Sequence, residues 1–405
     1  MKKVLIVVRN SFENDKRVLN IAQTLSDNKC DVTLFAEKNR VELPFFEQKD
    51  FKVFRIPLFS SLYSKKKTIT NITSNCNSTK KSIINKIRDN KVRILSVSFL
   101  NWLTFNIGYL VCGLLKRYHI IYCNDLDTLA VGYFLAKFHK AKLIYDSHEI
   151  WLEGNRFQHA SLIHQNMWIY LEKKLINKVN EVITTTRYRA DYLLEKYNLN
   201  NTPRVLRNCP RFKKIKKTNL FRKEFNIPKQ IPIFLYQGML SEKRGIFKIV
   251  DVVANIDNIA MVFMGNGNDK FKLIKYIEKK QLESKIFVKD AVPLENLLDY
   301  TASADIGLQL LQNTGINHYS TISNKIFEYI MAGLAIVSSD FPELNKIVCE
   351  NRVGKVVDPS DKNGILVTMK KMIVNCKFEE YKKNAKNISN KYTWEKEQRV
   401  IKDLI

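Results

Sequence analysis

The sequence has 405 residues, of which 45% are hydrophobic and 26% charged, a composition that excludes a disordered or fibrous chain. This length exceeds what one hydrophobic core usually serves, so we expect two domains. The formal charge of +27 indicates an anionic partner, which the charge alone leaves open among nucleic acid, anionic lipid and phosphorylated small molecules.

The first half of the chain shows short apolar strands that alternate with helical patterns. Strands are predicted at 4–8, 31–35, 120–123, 143–145 and 182–185, with helices over 15–26 and 129–138. Continuously apolar strands between helices are typical of a parallel sheet that is covered on both faces.

The segment 60–117 does not fit this alternation. Many Lys and Arg residues precede an uncharged run over 94–115, which has transmembrane length but is diluted by polar residues such as Asn101. A span there would place two parts of the predicted sheet on opposite sides of a membrane. Two interpretations stay open: a core helix preceded by a solvated basic helix, or a basic and aromatic segment that rests on an anionic membrane surface.

A second alternation of strands and helices follows a predicted linker at 200–217. Its strands are predicted at 233–236, 261–264, 286–288, 306–310 and 335–338. Two successive doubly wound domains would leave a cleft at the carboxyl ends of their strands, where such sheets bind ligands.

The most informative stretch runs from 317 to 340. A polar loop leads into a helix that is predicted to open near Ser323 and to end at Gly333. A helix N-terminus with Asn324 and Lys325 beside it is a natural diphosphate site. Glu328 could accept hydrogen bonds from ribose hydroxyls, or it could be a solvated residue paired with Lys325.

Two glycine-containing loops follow strands in this half. Gly238 would let the backbone approach phosphates, which Arg244 could bind in bidentate fashion, although a turn with surface basic residues is the alternative. Gly265 begins a Gly-Asn-Gly turn that lacks the third glycine of a dinucleotide fingerprint, so on its own it is a weak signal.

Residues 323–343, with the pattern Ser-Asn-Lys-Ile-Phe-Glu-Tyr-Ile-Met-Ala-Gly and a following Pro-Glu pair, resemble the signature of retaining glycosyltransferases of family 4, which have the GT-B fold. Further matching pieces occur in the same order along the chain: Arg17-Val18, Asp146-Ser147-His148-Glu149, Tyr236-Gln237-Gly238, Arg244-Gly245, Gly265-Asn266-Gly267 and Tyr392-Thr393-Trp394. The resemblance covers essentially the whole chain apart from about 60–117.

The resemblance implies an α/β protein with two doubly wound Rossmann-like domains that face a central cleft. It places an acceptor-binding domain at 1–205, and the basic and apolar residues of 60–117 lead us to expect a membrane-facing insert there. A nucleotide-sugar domain would occupy 206–385, and 386–405 would form a C-terminal helix that packs back on the N-terminal domain.

The resemblance also implies roles for individual residues. Glu328 corresponds to the second glutamate of the family's Glu-x7-Glu motif, whose first glutamate would fall at Ser320, so this chain departs from the motif. Val292 follows a strand where the family's backbone usually holds the nucleobase. The residues expected to bind the donor are Gly238, Arg244, Gly265, Val292, Ser320, Asn324, Lys325 and Glu328.

Three residues are expected to be catalytic: His148, Arg244 and Lys325. His148 would donate a hydrogen bond near the reacting centre, although a histidine after a strand is more often structural. The residues expected to bind the acceptor are Asn124, Asp125, Asp146 and Glu149.

The expected reaction is transfer with retention from a nucleotide-diphosphate sugar, which is a co-substrate, to a lipid-linked or polysaccharide acceptor of the bacterial cell surface. We expect cationic side chains to take the place of a metal ion at the diphosphate, so we expect no metal and no other cofactor. A nucleotide-sugar epimerase and a basic lipid- or nucleic-acid-binding scaffold are the alternatives. The dispersed basic residues argue against a nucleic-acid partner.

The expected location is the cytoplasm, on the inner face of the plasma membrane. The seven cysteines lack a CxxC pair or regular spacing, which is typical of a reducing compartment. The first residues, Met1-Lys2-Lys3, precede a short strand-like run rather than the long apolar region of a secretory signal.

Overall fold

The computed structural model describes residues 1–13, 15–38, 42–57, 100–154, 157 and 162–405. The chain forms two compact units. Unit 1 contains Met1–Thr184, Asp191–Arg204 and Val400–Ile405, and unit 2 contains Thr185–Ala190 and Val205–Arg399. Residues 60–99 of the predicted insert lie outside the described residues. The predicted domain boundaries stay predictions.

Unit 1 is built on an eight-stranded sheet with the order β3-β4-β2-β1-β5-β6-β7-β8. The strands are β1 (Lys3–Val7), β2 (Asp31–Lys38), β3 (Phe46–Gln48), β4 (Lys52–Pro57), β5 (Ile120–Asn124), β6 (Lys142–Ser147), β7 (Glu181–Thr184) and β8 (Arg204–Val205). β3 pairs antiparallel with β4, and the pairs from β4 to β7 are parallel. The strand order therefore reverses between β1 and β5.

Helices cover this sheet. They comprise Lys16–Asp27, residues 100–114, Leu126–His139, Leu162–Leu175, Arg187–Tyr197 and the 3-10 turns Trp151–Glu153 and Ile176–Lys178. Lys16–Asp27 begins where the Asp15 carboxylate accepts a hydrogen bond from the Val18 amide at 3.0 Å, which satisfies one of the open donors of the first turn.

The helix over 100–114 carries apolar side chains on both its inner and its outer face. Phe105 and Tyr109 are fully buried on its inner face, where the Tyr109 hydroxyl donates to the Val8 carbonyl at 3.1 Å. Ile107 and Val111 on its outer face are 52% and 56% exposed. Within the described ranges, no helix combines the length and the apolar character that crossing a membrane requires.

Unit 2 is built on a six-stranded sheet with the order β11-β10-β9-β12-β13-β14. The strands are β9 (Ile233–Gln237), β10 (Ala260–Met264), β11 (Ile286–Lys289), β12 (Ile306–Gln309), β13 (Ala335–Ser339) and β14 (Gly354–Val357). All registered pairs are parallel. The predicted α/β class with two doubly wound, Rossmann-like parts is confirmed.

Buried side chains pack on both faces of this sheet, one cluster around Phe234, Phe263 and Val337 and the other around Leu235, Val262 and Ile336. The helices of unit 2 are Leu220–Glu224, Ile246–Val253, Lys270–Lys279, Leu294–Thr301, Ile316–Tyr319, Asn324–Ala332, Pro342–Glu350, Lys362–Ile373, Phe378–Asn387 and Trp394–Glu397, with the 3-10 turns Glu242–Arg244 and Val374–Cys376. The last helix, Arg399–Lys402, belongs to unit 1 from Val400 onward.

The helix Asn324–Ala332 has the boundaries that its sequence predicts. The Ser323 side chain accepts a hydrogen bond from the Lys325 amide at its start, and Gly333 ends it in the left-handed conformation with φ of 72°. A glycine there avoids the clash that a side chain would introduce.

A buried ion pair ties the helix Lys16–Asp27 to β6 in unit 1. Arg17 donates to the Asp146 carboxylate through Nε at 3.0 Å and Nη2 at 2.7 Å, and the Tyr122 hydroxyl donates to the same carboxylate at 2.8 Å. The Asp146 side chain is 0% exposed. Burial alone would raise the pKa of Asp146, but Arg17 and His148 outweigh burial and hold it well below its ordinary value.

We expect Arg17→Ala to lower the free energy of unfolding by about 3–5 kcal/mol, because it leaves a buried carboxylate without its cation. Urea unfolding followed by tryptophan fluorescence measures this change, since Trp102, Trp151 and Trp168 lie in unit 1. The control is Lys49→Ala, which breaks the half-exposed pair Lys49–Glu47 and should change the free energy by less than about 1 kcal/mol. Equal effects of the two variants would contradict the expected contribution of the buried pair to the free energy of unfolding.

Candidate functional site

The sheet of unit 2 opens at the carboxyl ends of β9 and β12. β12 pairs with β9 at Ile306 and Gly307, whereas its later residues Leu308 and Gln309 continue to pair with β13. The strand order reverses at this point, because β10 and β11 lie on one side of β9 and β12 to β14 on the other. Ligands of doubly wound sheets bind at such a reversal.

Lys325 lies at this opening, in the first turn of the helix Asn324–Ala332. Its side chain is nearly buried, and Nζ lies 4.6 Å from the centre of the Tyr236 ring and 3.5 Å from the Tyr236 hydroxyl. A Cβ atom at Gly238 would approach Lys325 Cε to 2.7 Å, so the glycine leaves the room that the lysine occupies. The structure therefore brings Gly238 and Lys325 together.

Arg244 belongs to the same cluster. Burial raises the pKa of Tyr236 to about 12, an effect that the charge of Arg244 and a hydrogen bond from its side chain partly oppose. Burial and the charge of Arg244 lower the pKa of Lys325 to about 7, against a smaller opposite effect of Glu328. Lys325 and Arg244 thus form a concentration of positive charge in a poorly solvated place.

Glu328 lies one turn after Lys325 and is 9% exposed, which excludes the interpretation of a solvated helix residue. Its Oε2 accepts a hydrogen bond from the Gln237 side chain at 2.6 Å, and Gln237 Oε1 accepts one from Thr301 at 2.8 Å. This chain of hydrogen bonds fixes the Glu328 carboxylate at the end of β9.

The glycines at the ends of β9 and β10 pack against one another. A Cβ atom at Gly265 would lie 1.9 Å from the Gly238 carbonyl oxygen, and Gly265 has φ of 152°. Both facts require a glycine. Packing and backbone conformation therefore explain the glycine at position 265 without a ligand. Its contact with a donor stays a prediction.

The remaining predicted donor residues lie around the cluster. Asn324 is the first residue of the helix Asn324–Ala332 and is half-buried, and Val292 packs at the edge of an apolar core cluster. Ser320 is fully buried, and its hydroxyl accepts a hydrogen bond from Arg189 Nε at 3.0 Å. Their roles in donor binding stay predictions.

In unit 1, the predicted residues His148, Asp125 and Asp146 form a second cluster at the carboxyl ends of β5 and β6. His148 Nδ1 lies 3.5 Å from Asp125 Oδ2, and its Nε2 lies 3.3 Å from Asp146 Oδ2. The His148 amide also donates to Asp125 Oδ1 at 3.0 Å. Burial alone would lower the pKa of His148, but the two carboxylates outweigh it and raise that pKa.

The chain near His148 has an unusual backbone conformation and an additional contact between strands. Asp125 has φ of 62°, in the left-handed region that residues other than glycine rarely adopt. The Asn124 side chain donates to the Val7 carbonyl at 3.0 Å and so bridges β5 to β1 at the reversal of strand order. Glu149 is exposed beside His148. Asn124 thus holds the strand ends, which the sequence did not indicate.

Several residues of these clusters escaped the sequence prediction. Tyr236 and Gln237 stand inside a matched motif, so their position next to Gly238 was a usable signal. Arg17 also stands in a matched motif, but no sequence pattern links it to Asp146. Thr301 and Arg189 carry no sequence signal at all.

The comparisons with known proteins agree with this architecture. The model of group 1 glycosyl transferases matches residues 217–391, and that of glycosyltransferase family 4 matches residues 15–209. A search of curated proteins finds no match.

Among solved structures, sucrose-phosphate synthase from Thermosynechococcus elongatus is similar at 15% sequence identity and a TM-score of 0.74, covering 100% of this chain and 98% of that one. HepE from Anabaena in complex with UDP has 13% identity and a TM-score of 0.69, with 100% and 99% covered. WaaG, a glycosyltransferase involved in lipopolysaccharide biosynthesis, has 12% identity and a TM-score of 0.66, with 98% and 99% covered.

At these identities the solved structures establish the shared fold, and the two family models together account for most of the chain. The chain therefore belongs to a family of GT-B glycosyltransferases.

Proposed function

We propose that this glycosyltransferase transfers a sugar, with retention of anomeric configuration, from a nucleoside diphosphate sugar that unit 2 binds. The observation that carries the proposal is the cluster of Lys325, Arg244 and Glu328 where β9 and β12 separate. HepE, which shares the fold, has been solved with UDP and with UDP-glucose, which supports a donor of this class.

The electrostatics of the cluster favour a diphosphate ligand. The lowered pKa of Lys325 shows that its charge is insufficiently compensated in the free protein. A bound diphosphate would supply the missing negative charge, and the interaction would be strong because the site is poorly solvated. Arg244 can bind phosphate oxygens in bidentate fashion.

The same groups would stabilise the leaving nucleoside diphosphate. Negative charge grows on the phosphate oxygens as the bond to the sugar breaks, and Lys325 and Arg244 would stabilise that charge. We propose that these cations do so without a metal ion. The Glu328 carboxylate, held by Gln237, would accept hydrogen bonds from the ribose hydroxyls.

The cluster of unit 1 would bind the acceptor. We propose that His148 donates a hydrogen bond near the reacting centre, since Asp125 and Asp146 fix its ring and raise its pKa. Asp125 and Glu149 would orient acceptor hydroxyls, whereas the buried Asn124 and Asp146 would support them through their contacts with Val7 and Arg17. The proposed acceptor is a lipid-linked or polysaccharide chain in the synthesis of a bacterial cell-surface glycan.

We further propose that the enzyme works as a peripheral protein on the inner face of the plasma membrane, through an exposed apolar stripe on the helix over 100–114. The stripe consists of Leu100, Leu103, Ile107, Val111 and Leu114. Phe134 and Phe138 of the helix Leu126–His139 are also exposed, and the two helices touch where His139 Nε2 lies 2.9 Å from the Gly113 carbonyl oxygen. With the formal charge of +27, such an apolar surface suits an anionic bilayer.

We expect Arg244→Ala to reduce sugar transfer by about 100-fold, because one preorganised donor to the leaving group is lost. The measurement is transfer from UDP-, GDP- and ADP-sugars in the presence of EDTA, with the anomeric configuration of the product read by NMR. Lys243→Ala is the matched control, since Lys243 is an exposed cation in the same loop. Interconversion of donors without transfer, an inverted product, or equal activity of the two variants would contradict the proposal.

We expect UDP binding to weaken as the pH rises from 7 to 9, by up to tenfold for each pH unit. The pKa of Lys325 is about 7 in the free protein, and a bound diphosphate favours its protonated form, so binding takes up a proton in this range. The pKa of the neighbouring Tyr236 is about 12, which lies above this range. Isothermal calorimetry in buffers of different ionisation enthalpy measures the proton uptake.

Lys325→Arg is the control for this pH dependence, because a guanidinium stays charged throughout the range. Its UDP affinity should therefore be flat between pH 7 and 9. A slope that persists in Lys325→Arg would assign the titration to another group.

We expect the double variant Ile107→Glu/Val111→Glu to bind vesicles of phosphatidylcholine and phosphatidylglycerol about tenfold more weakly than the wild type, because it places two charges in the apolar stripe. Sedimentation with the vesicles measures the bound fraction. The matched control is Val367→Glu/Val374→Glu, which changes two exposed valines of unit 2. Equal binding of both variants would remove the stripe from the proposed surface.

A further inference from the structure

Arg189 is a buried arginine in the first turn of the helix Arg187–Tyr197, and it is 4% exposed. It belongs to the segment Thr185–Ala190, which is part of unit 2. Its guanidinium donates to Ser320 Oγ at 3.0 Å, to the Asn317 carbonyl at 3.0 Å and to Thr185 Oγ1 at 2.7 Å. Three different donors of one side chain are therefore engaged.

The segment around Arg189 makes further contacts with the loop that leads into the helix Asn324–Ala332, which is the donor helix of the proposed function. The Thr186 hydroxyl donates to the Ser320 carbonyl at 3.0 Å. The Tyr188 ring packs edge-on against Tyr319, with ring centres 5.7 Å apart. The Tyr188 amide donates to Glu343 Oε1 at 2.7 Å, so the segment is itself anchored to the helix Pro342–Glu350.

The loop held in this way sets the start of the helix that carries Lys325 and Glu328. Ser320 is fully buried and precedes by one short turn Ser323, whose side chain caps that helix. Because Lys325 and Glu328 are rigidly linked to this cap, a displacement of the loop would displace both side chains. A shift of about 1 Å is enough to reduce binding and rate at such a site.

We propose that Arg189 is a positioning residue for donor binding, which acts through Ser320 and Asn317 on the loop before the donor helix. The inference rests on the proposed function. The role of Ser320 then differs from the donor contact that the Glu-x7-Glu motif implies. Here Ser320 accepts the hydrogen bond of Arg189 and fixes the loop. An arginine suits this task because its planar fork reaches several acceptors at once, which a lysine cannot do.

The test compares Arg189→Gln, Ser320→Ala and their double variant by calorimetric titration with UDP, GDP and ADP. We expect Arg189→Gln to weaken binding of the nucleotide that the wild type prefers about tenfold, and Ser320→Ala about threefold, because hydrogen bonds of a charged group are lost. The double variant should bind no more weakly than Arg189→Gln, since both changes break the same contact. If Arg189→Gln does not fold, Thr186→Val replaces it in the test, because this variant removes a separate contact to the loop.

A selective kinetic effect distinguishes positioning from a general loss of structure. In Arg189→Gln the KM for the donor should rise about tenfold while the KM for the acceptor stays within about twofold of the wild type. The control is Arg187→Gln, which changes an exposed arginine of the same helix turn and should leave UDP, GDP and ADP binding unchanged.

The outcomes separate this inference from the proposed function. A wild-type protein that binds none of UDP, GDP and ADP would overturn both. A wild type that binds one of them, with unchanged affinity in Arg189→Gln and Ser320→Ala, would overturn the inference alone. Additive effects of Arg189→Gln and Ser320→Ala, or an equal loss in Arg187→Gln, would also overturn it.

Discussion

One constraint governs the end of the sheet in unit 2, the burial of a lysine charge at the point where two neighbouring strands separate. The separation of β9 and β12 leaves room at the end of the sheet, and Lys325 occupies it against the Tyr236 ring. Burial and Arg244 both disfavour the charged lysine, which lowers its pKa. A bound anion would therefore favour the charged form of the lysine. The residues around Lys325 and Arg244 keep these two side chains in place.

The supporting contacts around Lys325 follow from this constraint. Gly238 lacks a side chain because the lysine fills that space, and Gly265 lacks one because the Gly238 carbonyl lies against it. Glu328 would be costly to bury alone, and Gln237 supplies the hydrogen bond that makes its burial tolerable. Unit 1 shows the complementary case, in which the carboxylates of Asp125 and Asp146 surround His148 and raise its pKa.

The sequence predicted those parts of the molecule that depend on local patterns. Strands β1, β2, β5, β6, β7 and β9–β13 occur where the apolar runs lie, and the helix Asn324–Ala332 has its predicted cap and its predicted end. Strands β3, β4, β8 and β14 went unpredicted. β3 and β8 are short and have no buried residue, β4 interrupts its buried residues with exposed ones, and β14 is short with one buried residue. The site residues Lys325, Arg244 and Glu328 could be chosen from spacing and resemblance. Their mutual electrostatics depend on burial, which spacing does not reveal.

Contacts between distant parts of the chain explain what the sequence could not show. Arg17 and Asp146 are separated by 129 residues, and Arg189 and Ser320 by 131, so no periodic pattern connects the members of either pair. Ser320 illustrates the consequence. Sequence alone shows a serine where the motif has a glutamate, which suggests a lost donor contact. The structure shows the serine hydroxyl as the acceptor of a buried guanidinium, and a carboxylate at the same place would form an ion pair with Arg189. The departure from the motif therefore has to be judged together with its partner, because a residue's role at a buried site is set by the charge beside it.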